Sequence, residues 1–214
     1  MKKLRALALL LFVLVSSNAW GYEDGDFQIW NTDTEDVCVA KNTHLNAEQE
    51  FRWGGNASQL FYHHYEAGMS YDLEKWLSIG GGYRQVYQLS KNIFRVENEP
   101  YITFSLKNKF YGFDIDDRSR FEYRHFDYQQ DTGRYRNKVT VVAPYEVLRM
   151  KPFVSDELFF DYNSGFDQNR FSVGVCVNVN QHLTPEVYYM VQDSKGSTKW
   201  TDANVLGLKL KLRF

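Results

Sequence analysis

The sequence predicts a closed antiparallel transmembrane β-barrel, and three observations support that prediction. Apolar and polar residues alternate with period two in successive segments, as in strands that meet an apolar phase on one side and water on the other. Aromatic residues make up 17% of a chain whose mean hydropathy is only −0.50, which is typical of a barrel with aromatic residues at both membrane interfaces. No segment of the mature chain shows helical spacing of comparable strength.

The first 19 residues have the features of a secretory signal peptide. Basic residues at positions 2, 3 and 5 precede an apolar stretch from Ala6 to Val15, and small residues end the segment at Ala19. The apolar stretch is about half as long as a membrane-spanning helix. We therefore expect cleavage after Ala19, with residues 20–214 forming one outer-membrane β-barrel domain.

The last segment shows the alternation most clearly. One face of this segment carries the apolar residues Leu206, Leu208, Leu210, Leu212 and Phe214. The other face carries Gly207, Lys209, Lys211 and Arg213. We interpret the first face as lipid-facing and the second as lumen-facing.

The number of strands follows from the same pattern. From residue 44 onward the alternation predicts ten strands. Phe27–Asn31 and Val37–Lys41 can form a short hairpin around the polar segment Thr32–Asp36. Because an antiparallel barrel with both termini in the periplasm needs an even number of strands, we expect twelve, with ten as the alternative.

Connections between the segments alternate between tight turns and longer polar loops. The predicted tight turns are Asp72–Lys75, Asn108–Lys109 and Asn180–His182, and the predicted loops are Gly54–Gln59, Gln88–Ile93, Tyr128–Gly133, Asn163–Asn169 and Asp193–Thr201. Outer-membrane barrels have short periplasmic turns and longer extracellular loops. If Phe214 ends in the periplasm, the longer connections all fall outside. One strand does not fit the alternation, because the positions of Asp117 and Ser119 place these two polar side chains on the lipid-facing side. We therefore expect a register shift near Asp116.

Composition limits the possible partners and cofactors. A net charge of −2 leaves no basic excess to neutralise nucleic-acid phosphates. Cys38 and Cys176 are the only cysteines, and we expect both to be free thiols because strands far apart in a barrel rarely satisfy disulfide geometry. No Cys/His spacing predicts a metal site, so we expect no cofactor and no metal.

The parity of a residue, by which we mean its odd or even position in the alternation of a strand, places many charged residues in the lumen. We select as a lumen charge ladder Arg84, Glu97, Glu99, Arg118, Arg120, Glu122, Arg124, Arg134, Arg136 and Glu157. The same parity adds further candidates such as Glu48, Arg52, Glu66 and Arg170. This ladder predicts either a salt-bridged core or the wall of a narrow pore, in which the arginines guide anionic solutes.

An enzyme that hydrolyses or transfers lipid acyl chains is the competing class. Such a site needs a Ser within hydrogen-bond reach of a His that a third group orients. The candidate residues for such a site here are Ser58, His63, His64, Ser119 and His125. No motif fixes such a set, so we expect no catalytic residues.

Several motifs together resemble a known family. They are Phe27-x-x-Trp30, Gly80-x-Gly82-Tyr83-Arg84, Glu99-Pro100-Tyr101, Arg118-x-Arg120-x-Glu122-Tyr123-Arg124, Tyr135-Arg136-Asn137-Lys138, Lys151-Pro152-Phe153-x-x-x-Glu157 and the terminal Phe214. The chain resembles an uncharacterised outer-membrane β-barrel family of Gram-negative bacteria, the domain of unknown function 2490. The resemblance implies fold and location, and it brings no activity and no catalytic residues.

The closing segment also resembles the signal that the barrel-assembly machinery reads, carried here by Gly207, Leu210, Leu212 and Phe214. The partners we expect are therefore this machinery, outer-membrane lipid and a small solute. We expect a monomer that acts as a small passive pore or as a structural membrane protein.

Overall fold

A computed structural model describes residues 24–196 and 199–214. The predicted signal peptide and its cleavage site lie outside these residues. The described chain forms eleven strands: β1 (Asp26–Ala40), β2 (Thr43–Gly54), β3 (Gln59–Glu74), β4 (Leu77–Ser90), β5 (Ile93–Phe110), β6 (Phe113–Phe126), β7 (Thr132–Val142), β8 (Met150–Asp161), β9 (Gly165–Val177), β10 (Leu183–Lys195) and β11 (Trp200–Arg213). No helix in this part of the chain is long and apolar enough to cross a membrane.

The strands form one closed barrel in which each pairs with its sequence neighbours in antiparallel fashion. The closing pair is different, because β1 and β11 run parallel, with Asp26 opposite Ala203 and Asp36 opposite Arg213. The backbone of Phe214 extends this seam, donating to the carbonyl of Asp36 and accepting from the amide of Cys38, both at 2.9 Å. Closure leaves no unpaired strand edge, as a bilayer requires.

The expected strand number of twelve was wrong, and so was the alternative of ten. Thr32–Asp36 is not a turn but the middle of β1. The Thr32 hydroxyl points into the lumen and donates to Glu50 at 2.8 Å, while the outward Asp33 accepts from Gln49 at 3.0 Å. Because polar residues are satisfied on both faces, the strand continues. An odd number of strands then requires one parallel pair, and β1 begins at the barrel end opposite Phe214.

The expected alternation of short and long connections was also wrong. At the end of the barrel opposite Phe214, the strands extend into the predicted loops and leave connections such as 91–92 and 162–164. The Phe214 end carries the connection 143–149, which is longer than any of these. Connection length therefore does not orient this barrel.

The barrel is inside-out relative to a soluble one. Large apolar side chains are exposed on its outer surface, for example Ile102, Phe121, Phe171, Leu206, Leu208 and Leu210. Charged and polar side chains are buried in its interior, for example His64, Arg84, Glu99, Glu122 and Arg136. An apolar outer surface around a polar interior is the arrangement of a transmembrane β-barrel.

The register shift expected near Asp116 is absent. The β6 ladders with β5 and β7 are continuous there, so Asp117 and Ser119 face outward with Phe121. Asn137 on β7 donates to the Asp117 carboxylate at 2.6 Å, and the hydroxyls of Ser119 and Tyr135 are hydrogen-bonded at 3.0 Å. Local pairing, rather than a change of register, accommodates these polar groups on the outer face.

Both cysteines are free thiols, as the sequence indicates. Cys38 is exposed near the end of β1, and Cys176 is buried on β9.

Candidate functional site

The structure places the ten residues of the predicted charge ladder on the lumen side of five consecutive strands, β4 to β8. Seven of them are buried: Arg84, Glu97, Glu99, Arg120, Glu122, Arg136 and Glu157. Arg124 and Arg134 are slightly more accessible, and Arg118 is the most exposed, with 31% of its side chain accessible. Because successive side chains of a strand point to opposite faces of the sheet, these residues share the face that lines the lumen.

Glu122 lies at the centre of an ion-pair network. Its side chain has no accessible surface, and its carboxylate accepts from Arg134 at 2.5 Å and from Arg136 at 2.9 Å. Arg134 also donates to Glu99 at 2.6 Å, and Arg124 pairs with Glu97. Buried charges of this kind are stable only when they are paired and hydrogen-bonded, which these are.

A second part of the network centres on Glu66 of β3, one of the candidates that parity adds to the ladder. Arg120 binds both of its carboxylate oxygens at 2.9 Å, and Arg84 approaches one of them at 2.5 Å. The hydroxyl of Tyr101 donates to Glu66 at 2.7 Å, and its ring lies 3.9 Å beneath the Arg120 guanidinium. The ring occupies the space above Gly82, where a side chain would collide with it. The run of glycines in β4 therefore serves close packing, as glycines in strands often do.

An aromatic cluster fills the lumen toward the end opposite Phe214. The Arg52 guanidinium lies between two rings, 3.7 Å from the centroid of Trp30 and 3.8 Å from that of Tyr62. Across the lumen, Arg170 lies 4.5 Å from the ring of Phe159 and 4.9 Å from that of Trp30. We did not expect aromatic groups in the lumen. The available indication was parity, since Phe159 is two residues from the lumen-facing Glu157.

Taken together, these layers place buried side chains all around the lumen. Each of the eleven strands contributes at least one lumen side chain that is less than a tenth exposed, from Trp30 on β1 to Val205 on β11. We call these buried lumen side chains the closed layer.

Toward the Phe214 end, the lumen opens into two neighbouring cavities. One has a volume of about 340 Å³ and the other about 260 Å³. Both are lined by Glu48, Asp116, Arg118, Lys209 and Lys211. Lys209 pairs with Glu48 at 3.2 Å, and Lys211 pairs with Glu186 at 2.5 Å. We call these two cavities the polar vestibule.

Glu48, His64 and Glu66 are close enough to resemble a metal-ligand set, with one potential ligand atom of each within 4.8 Å of the others. Their carboxylates already pair with cations, Glu66 with two arginines and Glu48 with Lys209. A metal ion would have to displace these pairs. We therefore interpret the three residues as part of the ion-pair network.

The residues considered for acyl hydrolysis are dispersed. His64 is buried in the lumen, His63 stacks on Tyr87 at 4.7 Å, and His125 binds Asp131 at 2.9 Å. Ser58 donates to the backbone of Gly55 at 2.6 Å in the connection between β2 and β3, whereas Ser119 lies on the outer face of β6. Within residues 24–196 and 199–214, no Ser hydroxyl is hydrogen-bonded to a His ring.

The predicted assembly signal lies on β11 and at its end. Leu210 and Phe214 are exposed, and the Phe214 ring stacks on His182 with centroids 5.6 Å apart. Leu212 is half-buried. Gly207 faces the lumen and lies against the ring of Tyr188.

These features define a class of protein, the transmembrane β-barrels, here with a charged lumen. The chain belongs to the DUF2490 family of proteins of unknown function, whose family model matches residues 27–203. No curated protein sequence matches the chain.

Two solved porin structures are similar to the chain, each at 11% sequence identity. The anion-selective porin from Comamonas acidovorans has a TM-score of 0.43, and the match covers 80% of this chain and 53% of that one. The NanC porin has a TM-score of 0.46, with 79% of this chain and 86% of that one covered. The chain thus spans about half the length of the Comamonas porin.

Proposed function

We propose that this protein is a structural β-barrel of the outer membrane whose lumen is closed to solutes. The sequence is compatible with a passive pore as well as with a structural barrel. The observation that favours the closed barrel is the buried layer to which every strand contributes. Val205 has no accessible surface and Phe159 has 1%, so neither lines a water-filled passage.

Opening a passage would be energetically costly. Arg52 would have to leave the rings of Trp30 and Tyr62, at a cost of about 1–2 kcal/mol for each desolvated cation–π contact. Separating Glu122 from its two arginines would leave buried charges without partners, which typically costs about 3–5 kcal/mol. The closed lumen is therefore a property of the packed ground state rather than of a single mobile side chain.

Single-channel recording in planar lipid bilayers tests this proposal. We expect purified, folded protein to produce no stepwise conductance. The double variant Trp30→Ala, Phe159→Ala removes two rings from the closed layer, and we expect it to conduct. Phe171→Ala removes a ring of similar size from the lipid-facing side of β9 and serves as the matched control, which should remain silent. Regular conductance steps from the unmodified protein would contradict the proposal.

The proposal also includes the absence of lipid-acyl chemistry, because the described part of the chain lacks a Ser–His pair. Incubation of the folded protein with phospholipid vesicles should release no fatty acid above a protein-free control. Release that is lost in the His125→Ala variant would restore the enzyme alternative.

For its biogenesis, we propose export by residues 1–19, insertion by the barrel-assembly machinery and a monomeric barrel with Phe214 at the periplasmic end. The exposed terminal ring supports this assignment of the assembly signal. Mass spectrometry of the outer-membrane form should give a chain that begins at Trp20. Deletion of Phe214 should reduce the amount of folded protein in the membrane, and an unchanged amount would remove this role.

A further inference from the structure

A row of four charged side chains crosses neighbouring strands at the boundary between the closed layer and the vestibule. Register pairs place Arg118 on β6 opposite Lys138 on β7, Lys138 opposite Glu157 on β8, and Glu157 opposite Arg170 on β9. The row therefore contains three cations and one carboxylate. Like charges directly opposite on adjacent strands destabilise a sheet, so the Arg118–Lys138 pair requires a compensating group.

Glu157 cannot compensate all of these cations. Its carboxylate already accepts from Arg136 at 2.8 Å, and it lies 3.4 Å from Arg118 and 3.7 Å from Arg170. Lys138 makes no hydrogen bond or ion pair within the described ranges, and the Nε of Arg118 is buried without a partner. Polar groups that are buried without a partner carry a desolvation penalty that a ligand can remove.

The cavity beside this row has the corresponding charge imbalance. Its wall carries eight Lys or Arg side chains against five Asp or Glu side chains, although the whole chain has a net charge of −2. Two of the eight cations, Arg84 and Arg136, also pair with Glu66 and Glu122, which do not line the cavity. The cavity is polar and has a volume of about 260 Å³, which is small for a ligand pocket. The six other cations still outnumber the five acids, and an excess of positive charge in a partly buried site attracts a counter-anion.

We propose that this cavity binds a small multivalent oxyanion, held by Lys138 and Arg118. Lys138 supplies an ammonium that lies opposite Glu157 without an ion-pair contact to it, and Arg118 supplies the guanidinium nitrogens that Glu157 does not bind. Phosphate-type and carboxylate-type anions share the required chemistry, since both present several acceptor oxygens to charged donors. The site lies on the vestibule side of the closed layer, so the ligand can enter and leave without crossing the barrel.

Calorimetric titration of the folded protein in neutral detergent tests the site, with pyrophosphate and citrate as the two probes. We expect at least one of them to bind with a Kd below about 1 mM, and binding to weaken as salt is added. Lys138→Met should weaken binding at least about tenfold, because it removes a charge-assisted contact. Lys91→Met removes an exposed lysine in the turn at the opposite end and should leave the affinity unchanged.

A second variant keeps the test decisive if Lys138→Met fails to fold. Asp116 lines the same cavity, and Asp116→Asn removes a negative charge without removing a contact to the ligand. We expect this variant to bind the anion several-fold more tightly. Absence of saturable binding of both probes up to about 10 mM, or equal losses in Lys138→Met and Lys91→Met, would overturn the proposal. Conductance of the barrel would refute the closed lumen but leave this site intact, so the two proposals fail independently.

Discussion

The ring of Tyr188 on β10 lies directly against Gly207, its register partner on β11, in the space that a side chain at position 207 would occupy. The ring also packs beside a buried cluster formed by Trp30, Met190 and Val205. The glycine thus lets a lumen-facing tyrosine lie along the barrel wall, where it supports the closed layer. A residue that the sequence marks as part of an assembly signal therefore also has a packing role.

Gly207→Ala tests this packing role. We expect the free energy of unfolding to fall by about 1–3 kcal/mol, because a methyl group would overlap the Tyr188 ring and force a shift in a packed interior. Reversible urea unfolding of refolded protein in lipid vesicles gives this value. The matched control is Gly133→Ala, where an added Cβ would meet its nearest neighbours at 3.9 Å. Equal changes in the two variants would show that the Tyr188 contact is unimportant.

Glu122→Gln tests the ion-pair network. The substitution keeps the shape but removes the negative charge that Arg134 and Arg136 share, so that each buried guanidinium keeps one carboxylate partner, Glu99 or Glu157, and the network has one negative charge fewer. We expect a loss of about 3–5 kcal/mol in the free energy of unfolding. Lys109→Gln breaks an exposed pair with Asp114 at 2.9 Å and should change stability by less than about 1 kcal/mol. A small effect at Glu122 would mean that water reaches the network.

The outward polar pair Asp117 and Asn137 permits a double-variant test in the same unfolding assay. Asn137→Leu should destabilise the barrel by about 1–3 kcal/mol, because it leaves the Asp117 carboxylate without its amide donor on an apolar surface. Adding Asp117→Leu to this variant should recover most of the loss, since both partners are then apolar. If the double variant is less stable than Asn137→Leu, the outer face at this position does not contact lipid.

Asp131 lies in the connection between β6 and β7, outside the membrane-spanning strands, and its environment gives a pH dependence. Hydrogen bonds from His125, Tyr123 and the Phe126 amide lower the pKa of Asp131 to about 2. The folded pKa lies below the unfolded value of about 4, so the stabilisation is complete above that value and is lost as pH falls toward 2. Asp131→Asn should therefore be less stable than the unmodified protein above about pH 4, and this difference should shrink toward pH 2. Urea unfolding at successive pH values measures it, and a difference that stays constant with pH would contradict the assigned cause.

Much of the fold could be predicted from the sequence, because lipid contact imposes a strict alternation on each strand. The lipid-facing leucines of β11 and the lumen side of Arg120, Glu122 and Arg136 follow from parity alone. The number of strands cannot be predicted in this way. Parity does not distinguish a polar turn from a polar stretch of strand whose side chains are hydrogen-bonded to neighbouring strands. Thr32 and Asp33 are of the second kind, and their partners Glu50 and Gln49 lie in another strand.

The charge ladder illustrates the same limit for the candidate site. Parity places charged side chains in the lumen, but it does not show where in the lumen Lys and Arg side chains outnumber Asp and Glu side chains. Glu157 is shared by three arginines, Arg118, Arg136 and Arg170. This arrangement depends on the stagger of β6 to β9 around the barrel. The closed layer depends likewise on rings from β1, β3 and β8 meeting across the lumen, which no local pattern encodes.

The alternation of lipid-facing and lumen-facing side chains along β11 supports the whole account, and site-directed spin labelling tests it most directly. After Cys38→Ser and Cys176→Ser, a single nitroxide is placed in turn at each position from 204 to 211, in protein reconstituted in lipid bilayers. Collision with dissolved oxygen, which concentrates in the hydrocarbon, should be greatest at 204, 206, 208 and 210 and low at the positions between them. Uniform values along the segment, or low values at the leucine positions, would contradict a membrane-spanning barrel.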